Sequence, residues 1–330
     1  MSLPVNSQHI RDAADRIASI AVQTPLLRHD MLDAAAGAKI WIKPECLQVT
    51  GSFKIRGATN RIAQLALSER KAGVVAFSSG NHAQGVARAA RLFGCRATIV
   101  MPRDAPDVKI KGVRRDGAEI VLYDREGESR EEIAAEIVAR CGAVLIPSYD
   151  DRDIVAGQGT VGLEVGEQAL RAGVEVNHLL ACTGGGGLVT GSALGMRESF
   201  PKAQAWAVEP EGHDDWARSL ARGALVANQS GTRSFCDAIL TPQPGDIPFA
   251  IGLQQLSGGL VVTDEEVRAA MRFAFFQLKL VVEPGGAVAL AAALRGLPEA
   301  MCGQTCAVIL TGGNVDPELF SKVVMEPSGP

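Results

Sequence analysis

A lysine and four short runs rich in glycine, serine, threonine and asparagine are the parts of this chain that could do chemistry. Lys54 lies in Thr50-Gly51-Ser52-Phe53-Lys54-Ile55-Arg56-Gly57-Ala58, after an apolar strand around Ile42 and at the start of a helix-period segment bearing Ile55, Ala58, Ile62 and Leu65. An amine there stands at the mouth of a sheet, where ligands of open α/β folds bind. Taken alone, it fits a solvated first-turn lysine better. Ser78-Ser79-Gly80-Asn81-His82 ends a second strand and opens a helix with Val86, Ala87 and Ala90. Backbone N–H groups and hydroxyls at a helix N-terminus make an anion site that suits a carboxylate. A helix cap on Ser79 or Asn81 accounts for one residue of the five.

Cys182-Thr183-Gly184-Gly185-Gly186-Gly187-Leu188 repeats the strand, turn, helix pattern. Four successive glycines strip the loop of Cβ atoms, so its amides can wrap a phosphate at the positive end of the next helix, where the dipole contributes up to about 2 kcal/mol. The run has neither dinucleotide-fold glycine spacing nor the Lys-Ser/Thr ending of a P-loop, which leaves nucleotide binding the lesser reading. Leu310-Thr311-Gly312-Gly313-Asn314 closes the last strand, and Glu283-Pro284-Gly285-Gly286 opens a helix toward the same region. Each alone could be a turn.

The elements that must position these groups alternate along the chain. Strands are expected at 39–43, 74–78, 97–101, 119–122, 143–146, 178–181, 205–208, 260–262 and 307–310, with helices between most of them. That rhythm predicts an α/β fold of parallel sheets covered by helices on both faces, and this many strands predicts two sheets. Residues 73–148 read as a small domain inserted into a large one made of 1–72 and 149–330. The Pro- and Gly-rich stretch 227–248 reads as a surface excursion.

The chain has 330 residues, 47% hydrophobic and 21% charged, with net charge -4. These values argue against a nucleic-acid footprint and for a small-molecule partner. No signal-like segment or membrane-length apolar run appears, so a cytoplasmic protein is expected. The cysteines at 46, 95, 141, 182, 236, 302 and 306 read as reduced, buried thiols, and Cys302 and Cys306 lack a second pair at zinc spacing.

An amine, a carboxylate pocket, a phosphate cup and a hydroxyl at strand ends are what pyridoxal phosphate (PLP) with an amino acid attached requires. In Gly51-Ser52-Phe53-Lys54-Ile55-Arg56-Gly57, Ser79-Gly80-Asn81-His82-Ala83-Gln84-Gly85, Ala156-Gly157-Gln158-Gly159-Thr160, Gly184 to Gly187 and Gly312-Gly313-Asn314-Val315-Asp316, the sequence resembles the serine/threonine dehydratase and serine racemase family. These are PLP enzymes of fold type II, the tryptophan synthase beta-like fold, and the matching blocks span nearly the whole chain. The resemblance implies that Lys54 carries PLP as a Schiff base, that Phe53 lies against its ring, and that Asn81 bonds the ring oxygen. Glu283 belongs to the same cofactor set. It implies further that Gly184, Gly185, Gly186 and Gly187 hold the phosphate and that Ser52, Ser78, Asn81 and His82 position the substrate carboxylate. Ser79 would stand on the ring face opposite Lys54. Thr311 replaces the usual serine beside the pyridine nitrogen. The resemblance also implies a magnesium or calcium ion on Glu209, Asp215 and the His213 carbonyl, although a solvated acidic loop remains open there. A homodimer is implied too.

The activity so implied is loss of water from L-threonine or L-serine, giving a 2-oxo acid and ammonia, with the freed Lys54 amine as general base. A hydroxyl beside the pyridine nitrogen makes a weak electron sink, which suits prompt elimination. Rivals are a serine racemase using Ser79, a 3-hydroxyaspartate or phenylserine dehydratase, and a silent amino-acid sensor. L-Threonine and L-serine are the default because the matched motifs contain no arginine placed for a second carboxylate, though Arg130 could reach the pocket from outside them. No regulatory domain is expected after the last strand.

Overall fold

The computed structural model describes residues 3–326 apart from 79, 106 and 230, and leaves out the side chain at 108. The first part of the chain runs α1 (Ser7–Ile17), β1 (Leu27–Arg28), α2 (Asp30–Ala36), β2 (Lys39–Pro44), α3 (Lys54–Ala63) and α4 (Leu67–Ala72). Next come β3 (Val74–Phe77), α5 (Asn81–Leu92), β4 (Ala97–Pro102), α6 (Asp107–Arg115), β5 (Glu119–Tyr123), α7 (Arg130–Cys141) and β6 (Val144–Leu145). The chain continues through α8 (Arg152–Arg171), β7 (His178–Cys182), α9 (Gly187–Met196), β8 (Gln204–Pro210), α10 (Asp215–Arg222) and α11 (Asp246–Gln255). It ends with β9 (Leu256–Val262), α12 (Asp264–Phe273), α13 (Pro284–Leu294), β10 (Thr305–Leu310) and α14 (Pro317–Met325).

Two sheets form, as the alternation of elements predicts. One has the order β1-β2-β10-β7-β8-β9 and the other β5-β4-β3-β6. Every neighbouring pair is parallel except β1 with β2, where Leu27 faces Ile42. The central strands β7 and β10 are buried along their whole length, which is why they read as unbroken apolar runs rather than as alternation. The pattern missed β1, whose two residues are too short for any period. It also started β9 four residues late, because Gly258 and Gly259 interrupt the apolar signal.

Three of the seven cysteines depart from the expectation of burial. Cys141 and Cys302 are exposed and Cys46 is half-buried. Cys141 closes α7 and Cys302 follows a short helical turn, so both lie where elements end. The stretch 227–248 is not only a surface excursion either. It contains fully buried Cys236 and a 3-10 turn at Asp237–Ile239, and it supplies wall to the central cavity.

Helices α8 and α9 cross at backbone contact. A Cβ on Gly162 would lie 2.0 Å from the Ser192 carbonyl oxygen, and one on Gly195 would lie 2.4 Å from that of Gly159. Glycines at these positions let the two axes approach closer than side chains permit, and the approach fixes where α9 begins. Gly162→Ala should therefore cost about 1–3 kcal/mol by overpacking, read as a lowered thermal midpoint. An unchanged midpoint would mean that the helices can part freely.

Candidate active site

A cavity of about 320 Å³ opens at the carboxyl ends of β3, β7 and β10, and both sheets contribute to its wall. Helices α3, α5 and α9 all begin there, so the positive ends of three helix dipoles converge on one space. Phe53, Lys54, Ser78, Asn81, His82, Gly184 to Gly187 and Thr311 all reach the wall. Ser79 lies outside the described residues.

Lys54 Nζ donates to the Ser148 carbonyl at 2.8 Å and sits 5.2 Å from the Phe53 ring centroid. Burial lowers its pKa to about 8, against the opposing pull of Glu283. His82 Nε2 lies 2.8 Å from the Ile146 carbonyl, to which it donates. Burial and the neighbouring Lys54 push its pKa down to about 3, so the ring is neutral.

Asn81 donates through Nδ2 to Glu283 and accepts through Oδ1 from Asn314 Nδ2 at 2.7 Å. Asn314 also donates to the Thr50 carbonyl at 2.8 Å. One amide network thus joins the lysine segment, the β3–α5 loop and the end of β10. Glu283 is not on the wall but behind Asn81. Burial raises its pKa to about 7, with Lys109 opposing. Ser52 is likewise off the wall, buried, its hydroxyl without a partner among the described residues.

The glycine loop is enclosed by two aromatic rings. A Cβ on Gly185 would fall 2.1 Å from Tyr149 Cγ, and one on left-handed Gly186 would fall 1.9 Å from Trp216 Cζ2. Among the described residues, no protein acceptor meets the N–H groups of Gly184 to Gly187. Unpartnered amides at a helix start, with no Cβ in front of them, form an anion cradle. Thr311 is buried on the wall beside Cys182.

Motif reading missed Tyr149, Lys109, Asp237 and the 238–242 segment, all on the wall, and left Arg130 outside its site. Lys109 pairs with Asp237 at 2.6 Å. Arg130 lies over the Phe77 ring at 5.2 Å and pairs with Glu131 at 2.8 Å. A basic residue at the start of a helix gives no sequence signal of this placement.

The acidic turn stands apart from the wall. Glu209 accepts from the backbone N–H groups of Trp216 and Ala217 at 2.8 and 2.9 Å. Burial, then the charge of Asp215, raises the Glu209 pKa well above the usual carboxylate range, and burial raises that of Asp215 to about 6. Asp215 Oδ2 is buried with no hydrogen-bond partner among the described residues. Two buried carboxylates that resist ionisation fit a hard cation. Among the described residues no three His, Cys, Asp or Glu side chains cluster as a metal site.

A family profile described as pyridoxal-phosphate dependent enzyme matches residues 17–312. The chain belongs to that family. It is 42% identical over 323 residues to an L-threo-3-hydroxyaspartate ammonia-lyase of Pseudomonas sp, covering 98% of this chain and 99% of that one. Among solved structures, maize serine racemase matches with TM-score 0.90 at 36% identity, covering 97% and 96% of the two chains. A threonine deaminase from T.th. matches with TM-score 0.87 at 41% identity, covering 94% and 99%. The fold is therefore PLP fold type II, and the free loop amides, the buried lysine and the neutral histidine fit the cofactor. No helix among the described residues is long and apolar enough to cross a membrane.

In the cofactor-free enzyme, Glu283 gives a pH signature. Its folded pKa of about 7 exceeds the ordinary glutamate value of 4.5, so the folded state binds more protons across that window and loses stability as pH rises through it. Glu283→Gln should flatten the fall in melting temperature between those two values. An identical fall in both proteins would mean that Glu283 ionises normally.

Proposed function

We propose that this PLP enzyme removes water from a small 3-hydroxy amino acid bearing a second carboxylate, 3-hydroxyaspartate, giving a 2-oxo dicarboxylate and ammonia. Arg130 on the cavity wall carries this reading. The L-threonine and L-serine default rests on the lack of an arginine placed for a second carboxylate within the motifs, and α7 brings one from outside them. A guanidinium lying over Phe77 presents a planar fork that matches a carboxylate. Exchange of Glu131 for a substrate carboxylate would keep it paired. The likeness to the Pseudomonas lyase supports the same choice.

Held through Lys54 in the resting enzyme, PLP would supply the electron sink for the substrate's Cα. Once freed, the Lys54 amine, its pKa lowered by burial to about 8, has an appreciable neutral fraction at neutral pH and can take the Cα proton on Nζ. The Ser148 carbonyl orients that amine. The start of α5, with Ser78, Asn81 and His82, holds the α-carboxylate, and neutral His82 adds shape without charge. Gly184 to Gly187 would hold the phosphate, and the Thr311 hydroxyl would serve the pyridine nitrogen.

Borohydride should trap the cofactor on Lys54, and L-threo-3-hydroxyaspartate should exceed L-serine and L-threonine in kcat/KM by about ten-fold or more. Arg130→Ala should lower kcat/KM for 3-hydroxyaspartate by about 10²-fold, the loss of a charge-assisted pair, and change L-serine turnover little. Equal losses on both substrates, or faster turnover of threonine by the parent enzyme, would remove Arg130 from substrate selection.

We propose further that Glu209, Asp215 and the His213 carbonyl hold magnesium or calcium, with water completing the shell. Chelation should lower the melting temperature, added magnesium or calcium should restore it, and Asp215→Ala should respond to neither. A chelator-insensitive parent protein would reduce the acidic turn to a structural carboxylate pair.

A further inference from the structure

Trp216 is fully buried in the first turn of α10 and has no part in the chemistry above. Its indole Nε1 donates to the Gly184 carbonyl at 2.7 Å. The ring occupies the space in front of Gly186, and a Cβ on Gly252 would come within 2.5 Å of it. Phe249 meets it edge-on, with centroids 6.1 Å apart. Its own backbone N–H is fixed on Glu209. The indole is thus held in one orientation from every side.

In a trans peptide the carbonyl and the following N–H point opposite ways. With the Gly184 oxygen turned toward Trp216, the Gly185 N–H is turned away from it. The Gly185 oxygen accepts from Gly245 N at 3.1 Å, which turns the Gly186 N–H away from Gly245 in the same manner. Four glycines cannot choose among peptide orientations by themselves, since each has the widest backbone freedom of any residue. Something outside the loop must choose.

We propose that Trp216 is the positioning residue of the phosphate-binding loop: its indole N–H sets the Gly184–Gly185 peptide so that the loop's donors face the anion. The proposal rests on the loop being the cofactor-phosphate site. A tryptophan that only fills the core would affect stability without regard to phosphate.

Trp216→Phe keeps a ring and deletes the N–H. In full-length enzyme stripped of cofactor and titrated by absorbance, its dissociation constant for PLP should rise about ten-fold, the scale of one lost hydrogen bond with its carbonyl left buried. Binding of pyridoxal, which lacks the phosphate, should be the same in both proteins, and kcat at saturating PLP should stay within about two-fold. Parallel loss of PLP and pyridoxal affinity, or no loss of either, overturns the proposal. A parent enzyme that binds PLP no better than pyridoxal would instead overturn the phosphate role of the loop. If the variant does not fold, the parent protein labelled with ¹⁵N-tryptophan serves. Of its 3 indole signals, assigned with Trp41→Phe and Trp206→Phe, that of Trp216 should move on addition of inorganic phosphate. A Trp216 signal that stays in place overturns the proposal as well.

Discussion

The buried guanidinium of Arg56 constrains the segment that carries Lys54. It is fully enclosed and binds Glu45 at 2.7 and 2.9 Å, Glu164 at 2.7 and 3.0 Å, the Thr160 hydroxyl at 3.1 Å and the Val22 carbonyl at 3.2 Å. Lys43, also buried, adds a second cation on Glu164 at 2.6 Å. Such a network contributes little net stability, because desolvation offsets much of its attraction, but removing one member strands the others without partners. Its value is geometric. Arg56 lies two residues beyond Lys54, about 200° around the helix, so fixing one face of α3 in the protein fixes the direction of the other toward the cavity.

The same logic explains why glycine recurs where it does. At the α8–α9 crossing, glycine admits another backbone; in the loop before α9, it admits two aromatic rings and leaves amide donors bare. These are different demands on one helix. The crossing places the start of α9, and the rings on either side hold the loop that precedes it. A single Cβ in either place would displace the anion cradle.

What could be read from the sequence was whatever the chain keeps local. Lys54, the Ser78 to His82 turn and the glycine run each lie where a strand passes into a helix, so a few adjacent residues carry both the turn and the chemistry. Strands such as β7 and β10 were legible because burial on both faces leaves an unbroken apolar run. Arg130, Lys109 and Asp237 were not assigned to the wall because nothing local marks them: a charged residue at a helix start, or a proline-rich stretch, looks the same whether it meets solvent or a cavity. Glu283 lies in a turn that was legible, and its side chain accepts from Asn81, which is on the wall.

The balance of charge in the cavity bears on selectivity. Burial works against the charged forms of Lys54 and His82 on the wall and of Glu283 behind it, and it leaves His82 neutral among the converging helix dipoles. Full positive charges stand at Lys109 and Arg130, and each already has an acidic partner, Asp237 and Glu131. A neutral side chain on the substrate gains nothing from that arrangement. On the proposed reading, a substrate carboxylate would replace Glu131 on the half-exposed Arg130, because Glu131 can return to water from its place at the start of α7. On that reading, discrimination between threonine and a dicarboxylate would depend on exchange of one ion pair at the rim, while the interior would handle the part common to all 3-hydroxy amino acids.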